Sequence, residues 1–379
     1  MPAHRTYLDY NATAPLRPEA RSAMLAALDL VGNASSVHAE GRRARAIVET
    51  AREQVAALVG AKPSEVIFTS GATEANATVI AGRRWGSVLL SAIEHPSVLQ
   101  AAAPLHSLSI ASERDGLATV DDELAELLGD AECLPAPMLV SLQLANGETG
   151  VVQNVGLLAE ICRRVRPGTV VHSDAAQAAG RITIDFASLG VDAMTISSHK
   201  LGGPQGAGAL IIRDGIELSS LVRGGGQERG RRAGTENIAA IAGFGAAAQI
   251  VQQTMTQEMI RAGGLRAALE QSIADTTPDA EIIGCRAPRI ANTTCVALPG
   301  ARAETLVIQF DLAGIAVSAG AACSSGKVGA NQTLLAMGLP ENVAQAAIRV
   351  SLGWQSTQAD VAAFSAAWRS IAASRRRAA

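Results

Sequence analysis

The chain has 379 residues, 48% of them hydrophobic and 18% charged, which supplies a large core and, at roughly 150 residues per domain, suggests two or three units. Its formal charge is −3, and apart from Arg375-Arg376-Arg377 the basic residues are scattered, which argues against a nucleic-acid partner. The longest apolar candidate, Ile241 to Val251, is too short and glycine-interrupted for the ~20 residues of a spanning helix, so no membrane association and a cytoplasmic location are expected.

In chain order, the first periodic segment is a helix from about Ala39 to Val59, ended by Gly60 as a C-cap. Short apolar, β-rich runs then recur with helical patterns between them: Val66-Ser70, Ser87-Ser91, His106-Ile110, Met138-Leu144, Thr169-Ser173, Ala193-Ser197 and Ala207-Arg213. That alternation predicts an α/β fold, a mostly parallel seven-stranded sheet flanked by helices. After about Val251 the pattern changes to helices at Met255 to Ala274 and Thr357 to Ala373, with strands at Thr293-Leu298 and Ile315-Ser318. This predicts a large domain over 16-250 and a smaller α+β domain from 1-15 and 251-379.

Four clusters sit where expected strands end, which is where open α/β sheets bind ligands. Thr69-Ser70-Gly71-Ala72-Thr73 leads from a strand through a glycine turn into a helix whose N–H groups suit a phosphate, unless Ser70 or Thr73 only caps the helix. Asp174, after a β-branched run, suits a protonated pyridine nitrogen, unless it caps a following helix. Ser197-Ser198-His199-Lys200, before a glycine-rich turn, suits an imine to an aldehyde cofactor. Of the 32 basic residues only Lys62, Lys200 and Lys327 are lysines, and arginine cannot form that imine.

The fourth cluster carries Cys323, on a stretch of small and glycine residues from about 319 to 331 that reads as an exposed, mobile loop. Five cysteines without paired spacing argue against a disulfide framework or a metal site. Cys133, Cys162, Cys285 and Cys295 sit in or beside apolar runs and read as buried small hydrophobes.

YLDYNATAP, GNASSVH, FTSGATEAN, IEHPSV, NGETGVVQ, SDAAQ, SSHKLGGPQGAG, RGGGQERGRRAGTEN, SAGAACSSG and RVSLG, in this order from Tyr7 to about Gly353, together resemble the cysteine desulfurases. These belong to the class V aminotransferase-like enzymes of fold type I, which depend on pyridoxal 5'-phosphate (PLP). The resemblance implies that Lys200 forms the Schiff base, that His95 stacks on the ring, that Asp174 meets the ring nitrogen and that Gln177 meets the ring hydroxyl. Ala72, Thr73, Ser197 and His199 would hold the phosphate, and Thr235 would reach the phosphate of a neighbouring subunit, which implies a homodimer with shared sites. Arg349 and Asn33 would bind the substrate, L-cysteine. Lys200 would act as general base and Cys323 as the nucleophile that takes the sulfur as a persulfide, leaving L-alanine.

Cys323 and Arg349 are 26 residues apart (349 − 323), which resembles the branch with the long mobile cysteine loop, whose sulfur goes to a sulfur-acceptor or iron–sulfur scaffold protein or to tRNA thiolation. The chain departs from the family at Gly147, where a second asparagine normally bonds the ring oxygen, and at Gly329-Ala330-Asn331. Neighbouring side chains in extended backbone point oppositely, so Asn146 is not expected to replace the lost bond. The alternatives are a selenocysteine lyase, a small-amino-acid aminotransferase in which Cys323 is incidental, or a catalytically weakened PLP-binding scaffold.

Overall fold

The computed structural model describes residues 5–320 and 329–376. The N-terminal segment contributes β1 (Thr6–Tyr7), and the seven expected runs form β2 (Val66–Thr69), β3 (Ser87–Ser91), β4 (Ser107–Ile110), β5 (Met138–Ser141), β6 (Val170–Asp174), β7 (Ala193–Ser197) and β8 (Gly208–Ile212). All seven lie in one sheet in the order β2-β8-β7-β6-β5-β3-β4. Strand β8 runs antiparallel to both neighbours and the remaining pairs are parallel. Every residue of β2, β3, β5, β6, β7 and β8 is buried, as expected where helices cover both faces of a sheet.

The helix expected from Ala39 to Val59 spans Ala39–Leu58, and Gly60 follows in the left-handed region at φ 64°, the conformation that glycine adopts without a Cβ clash. The helix expected to begin at Met255 begins at Ile238 and runs unbroken to Thr276. Its first half, including Ile241, Phe244 and Val251, packs in the core beneath the large sheet, and its second half, with Leu265, Leu269 and Ile273, packs in another core. Gly243 and Gly245 interrupt the apolar run because neighbouring helices come close. An added Cβ at Gly245 would lie 2.6 Å from Ala51 Cα.

The second core is built on β9 (Glu281–Ile283), β10 (Thr293–Ala297), β11 (Ile315–Ala316), β12 (Ser318–Ala319) and β13 (Ala347–Ser351). Four of these form an antiparallel sheet in the order β12-β13-β10-β9, while β11 pairs with β1. The single strand expected over Ile315-Ser318 is thus two strands that serve two sheets. Phe310 stacks on Phe364 with centroids 4.9 Å apart, and Trp368 closes the cluster while its Nε1 donates to Thr277 Oγ1 at 3.1 Å.

The residues after β1 leave this small sheet and cross to the rim of the large one. They carry Asp9, Asn11 and Ala12 to the places described next.

Gly245→Val is expected to lower stability by about 1–3 kcal/mol, because backbone rather than a flexible side chain blocks the added atoms. Gly264, in the same helix but with nothing within 4 Å of an added Cβ, is the control: Gly264→Ala is expected to raise stability by about 0.5–1 kcal/mol. Urea unfolding of both variants checks the contrast.

Candidate active site

Strand register assembles the site. Gly208 pairs with Thr69 on one side and Ser197 on the other, so the ends of β2 and β7 meet at the start of β8. An added Cβ at Gly208 would lie 2.7 Å from Gly71 Cα, so only glycine lets the strand approach this turn. The helix that follows, Ala72–Ala81, has Gly71 at its N-cap and no side-chain cap. Ser70 and Thr73 therefore do not cap it, and a Cβ added at Gly71 would meet nothing within 4 Å. That is an anion-binding arrangement, bordered by half-buried Ala72, exposed Thr73, buried Ser197 and half-buried His199.

Asp174 ends β6 and is buried. Its Oδ2 accepts from Asn76 Nδ2 at 2.8 Å and its Oδ1 from Ala176 N at 2.9 Å. A turn rather than a helix follows it, so helix capping does not account for this carboxylate. Asn76 also donates to Ser97 Oγ at 2.9 Å. Ser97 directs its N–H (3.1 Å) and its hydroxyl (2.8 Å) at His95 Nδ1. Nδ1 is then the acceptor and Nε2 carries the ring proton. Burial holds the His95 imidazole below its usual range, although the Asp174 charge opposes this.

Lys200 lies in the short turn after β7. Its Nζ donates to the carbonyl of Asn11 and, at 2.9 Å, to that of Ala12. Burial, then the charges of Arg181 and Arg349, pull its pKa down to about 8 against the opposing pull of Asp9 and Asp174. A substantial neutral fraction is thus present at mildly alkaline pH, which a general base requires. Gln177 Nε2 donates to the same Asn11 carbonyl at 3.0 Å. His199, beside Thr13 Oγ1 at 3.2 Å, is pushed down to about 4 by burial and by the nearby cations Lys200 and Arg181, so its ring is neutral.

Arg349 sits on β13 between Cys295 and Ser318. Its Nη2 donates to Asp9 Oδ1 at 2.9 Å, and its Nη1 to Glu148 Oε1 at 2.6 Å and to the Gly147 carbonyl at 3.2 Å. Its Nε is buried without a partner, a donor left over for a carboxylate. Gly147 thus contributes its carbonyl, which also accepts from Asn11 Nδ2 at 3.0 Å. Asn146 Oδ1 is taken by the N–H groups of Glu148 and Thr149, both at 2.9 Å. It holds its own turn and does not stand in for the missing asparagine.

The remaining expected residues lie apart from this cluster. Asn33 is exposed in the loop after the helix Pro18–Leu28, its Oδ1 accepting from Ser35 N at 2.9 Å. Thr235 is exposed just before the helix Ile238–Thr276. Its loop is tied to the helix Ala72–Ala81 by the Arg232–Glu74 ion pair at 2.8 Å. Cys323 lies outside the described residues. Two of the cysteines expected to be buried, Cys133 and Cys285, are exposed. Each sits in a turn, after the helix Asp122–Gly129 and after β9 respectively, so its neighbouring apolar residues turn inward without it.

The sequence reading missed a buried network behind Asp174. Ser141 donates to Glu94 Oε1 at 3.1 Å and lies 2.9 Å from His172 Nδ1, and His172 Nε2 lies 3.1 Å from Thr195 Oγ1. Burial and the Asp174 charge raise the Glu94 pKa to about 8, and burial lowers that of His172 to about 4, so both are neutral near pH 7. The signal was present in His172, two residues before Asp174 on one strand and so on the same face, and in Glu94, an acid at the end of an apolar run.

The residues fit PLP. An uncapped helix end suits the phosphate, a buried carboxylate suits the ring nitrogen, and a lysine with a depressed pKa follows β7, the strand beside the one that ends in Asp174.

The family model for aminotransferase class-V matches residues 6–364, and a cysteine desulfurase from Cereibacter sphaeroides is 40% identical over 372 residues, 94% of this chain and 93% of that protein. The chain belongs to the cysteine desulfurases of that family. A cysteine desulfurase from Gluconacetobacter diazotrophicus is 38% identical over 370 residues, covering 94% of this chain and 90% of the other. The X-ray structure of a NifS-like protein from Rickettsia africae superposes with a TM-score of 0.90 at 34% identity, covering 97% of this chain and 99% of that one. The architecture is that of the fold-type I PLP enzymes.

A carboxyl whose folded pKa exceeds its ordinary value of 4.5 stabilises the fold below 4.5, and that contribution is lost as pH rises toward about 8. Glu94→Gln keeps the neutral shape and removes this loss. Between those limits the stability of the variant relative to the parent is expected to rise by about 1.4 kcal/mol per pH unit. Denaturant unfolding across the range measures it.

Proposed function

We infer that the protein is a PLP-dependent cysteine desulfurase that removes sulfur from L-cysteine, releases L-alanine and carries the sulfur as a persulfide on Cys323. The observation that carries this reading is that Lys200, Asp174 and His95, at or just past strand ends of the large sheet, lie close enough to one another, and Lys200 to Arg349 on the small sheet, for their charges to act on each other, in a chain of this family.

The N–H groups of Ala72 and Thr73, the hydroxyls of Thr73 and Ser197, and His199 would hold the cofactor phosphate. Asp174 would hold the ring nitrogen, Gln177 the ring hydroxyl and His95 a ring face, with Lys200 as the covalent anchor. Bound there, PLP supplies an electron sink for cleavage of the bond to the Cα proton. Arg349 binds the substrate carboxylate, its guanidinium steadied by Asp9 and Glu148. Lys200 accepts the Cα proton at Nζ. The Asn76–Ser97 relay keeps Asp174 and the His95 ring in place. The Cys323 thiolate attacks the substrate sulfur, forming the S–S bond as the Cβ–S bond breaks.

Asn33 and Thr235, both exposed in this single chain, suit a homodimer in which Thr235 serves the partner's phosphate and Asn33 contributes to substrate binding. The persulfide passes to a sulfur-acceptor or iron–sulfur scaffold protein, or to tRNA thiolation, in the cytoplasm. Among the described residues no helix is long and apolar enough to cross a membrane.

Incubation with L-cysteine and a thiol reductant is expected to give alanine and sulfide in equal amounts. Cys323→Ala should lose sulfide release and keep the yellow colour of bound PLP, whereas sulfide release that survives in Cys323→Ala contradicts the assignment. At Gly147 an added Cβ would lie 3.3 Å from Gln177 Nε2, a contact that a flexible amide can relieve. Gly147→Asn is therefore expected to tighten PLP binding by up to about tenfold, the equivalent of one hydrogen bond, as read by fluorescence titration.

A further inference from the structure

Arg181 is a buried guanidinium with no acid beside it among the described residues. Its Nη1 donates to the Gln177 carbonyl at 2.9 Å and to Gln177 Oε1, and its Nη2 donates to the Tyr10 carbonyl at 3.4 Å. All three acceptors are neutral oxygens, and the charge that bears on it is another cation, Arg349. Burial and that neighbour lower its pKa to about 9, so it stays charged at neutral pH. A buried charge without a counter-ion is costly, and a neutral residue could tie the same turn to the N-terminal segment at less cost.

Two consequences follow from where it lies. By donating to Gln177 Oε1 it fixes the amide orientation, so that Nε2 is the end that meets Asn11 O, the carbonyl Lys200 also uses. Three successive carbonyls, of Tyr10, Asn11 and Ala12, thus receive Arg181, Gln177 and Lys200 side by side. After burial, the Arg181 charge is the strongest influence on the Lys200 amine, acting with Arg349 and opposed by Asp9 and Asp174. Lys200 in turn bears on the neighbouring rings His95 and His199.

We propose that Arg181 is a positioning residue for the reaction: its uncompensated charge readies the Lys200 amine to give up its proton, and its bond to Gln177 presents that amide's N–H to the cofactor. The second half rests on the PLP reading above; the first concerns this chain's own amine.

The test is pulse acetylation of the full-length, cofactor-free protein across about pH 6–10, spanning the ordinary lysine range and below it. Peptide mass spectrometry follows Lys200, with Lys62, whose side chain is 72% exposed, as internal standard. Arg181→Met is expected to raise the Lys200 labelling midpoint by on the order of one pH unit and to leave Lys62 unmoved. Arg181→Lys, which keeps a charge there, is expected to stay near the parent. If Arg181→Met does not fold by circular dichroism, Arg181→Gln removes the charge and keeps polarity. An unmoved Lys200 midpoint in the uncharged variant, or an equal rise in Arg181→Lys, overturns the proposal. In the PLP-loaded protein the pH midpoint of the visible absorbance is expected to shift in the same direction. A protein that never acquires visible absorbance would refute the cofactor reading and still leave the acetylation result to decide the role of Arg181.

Discussion

Lys200 enters the site as a half-buried cation met by carbonyl oxygens instead of a carboxylate, and most of the site is arranged around that contact. The carbonyls come from Asn11 and Ala12, on a segment whose preceding strand β1 pairs with β11 beside the second core. The lysine itself is placed by the end of β7 in the large sheet. The amine is therefore positioned only when both cores are folded and docked. A carboxylate at this place would stabilise the ammonium and oppose proton loss, whereas carbonyls hydrogen-bond it with less electrostatic stabilisation of its charge.

The same economy of charge governs the surroundings. Behind Asp174, Glu94 and His172 are both neutral near pH 7, so this network adds no charge of its own beside the Asp174 carboxylate. Arg349 meets the opposite treatment. Two carboxylates hold it and keep it charged despite burial. Asn331, where the cysteine-bearing segment returns to the described fold, donates to Glu148 Oε2 at 3.2 Å. Arg349 and Asn331 therefore share one acid.

The large sheet was legible because β-branched runs such as Val170-Val171 and Ala193-Met194-Thr195-Ile196 alternate with helical periods, and the glycine turns mark their ends. Lys200 and Asp174 were legible as polar residues directly after such runs, in a chain nearly devoid of lysine. The small sheet was harder to read. Its edge strand β12, and β11 of the neighbouring two-stranded sheet, have two residues each, too few for periodicity to register. Polar residues buried by long-range pairing were harder still: Asn76 meets Asp174 across 98 positions of sequence, and Arg349 meets Asp9 across 340. Cys133 and Cys285 show the converse limit, since apolar neighbours in sequence did not imply burial in a turn.

The central claim, that Lys200 is the residue that anchors PLP, is tested most directly by borohydride reduction of the PLP-loaded protein followed by peptide mass mapping. With only Lys62, Lys200 and Lys327 available as side-chain amines, the result is unambiguous by position. The account predicts the reduced pyridoxyl group on the peptide that contains Lys200 and on neither of the others. A label on Lys62 or Lys327 instead, or on no lysine at all, would contradict it.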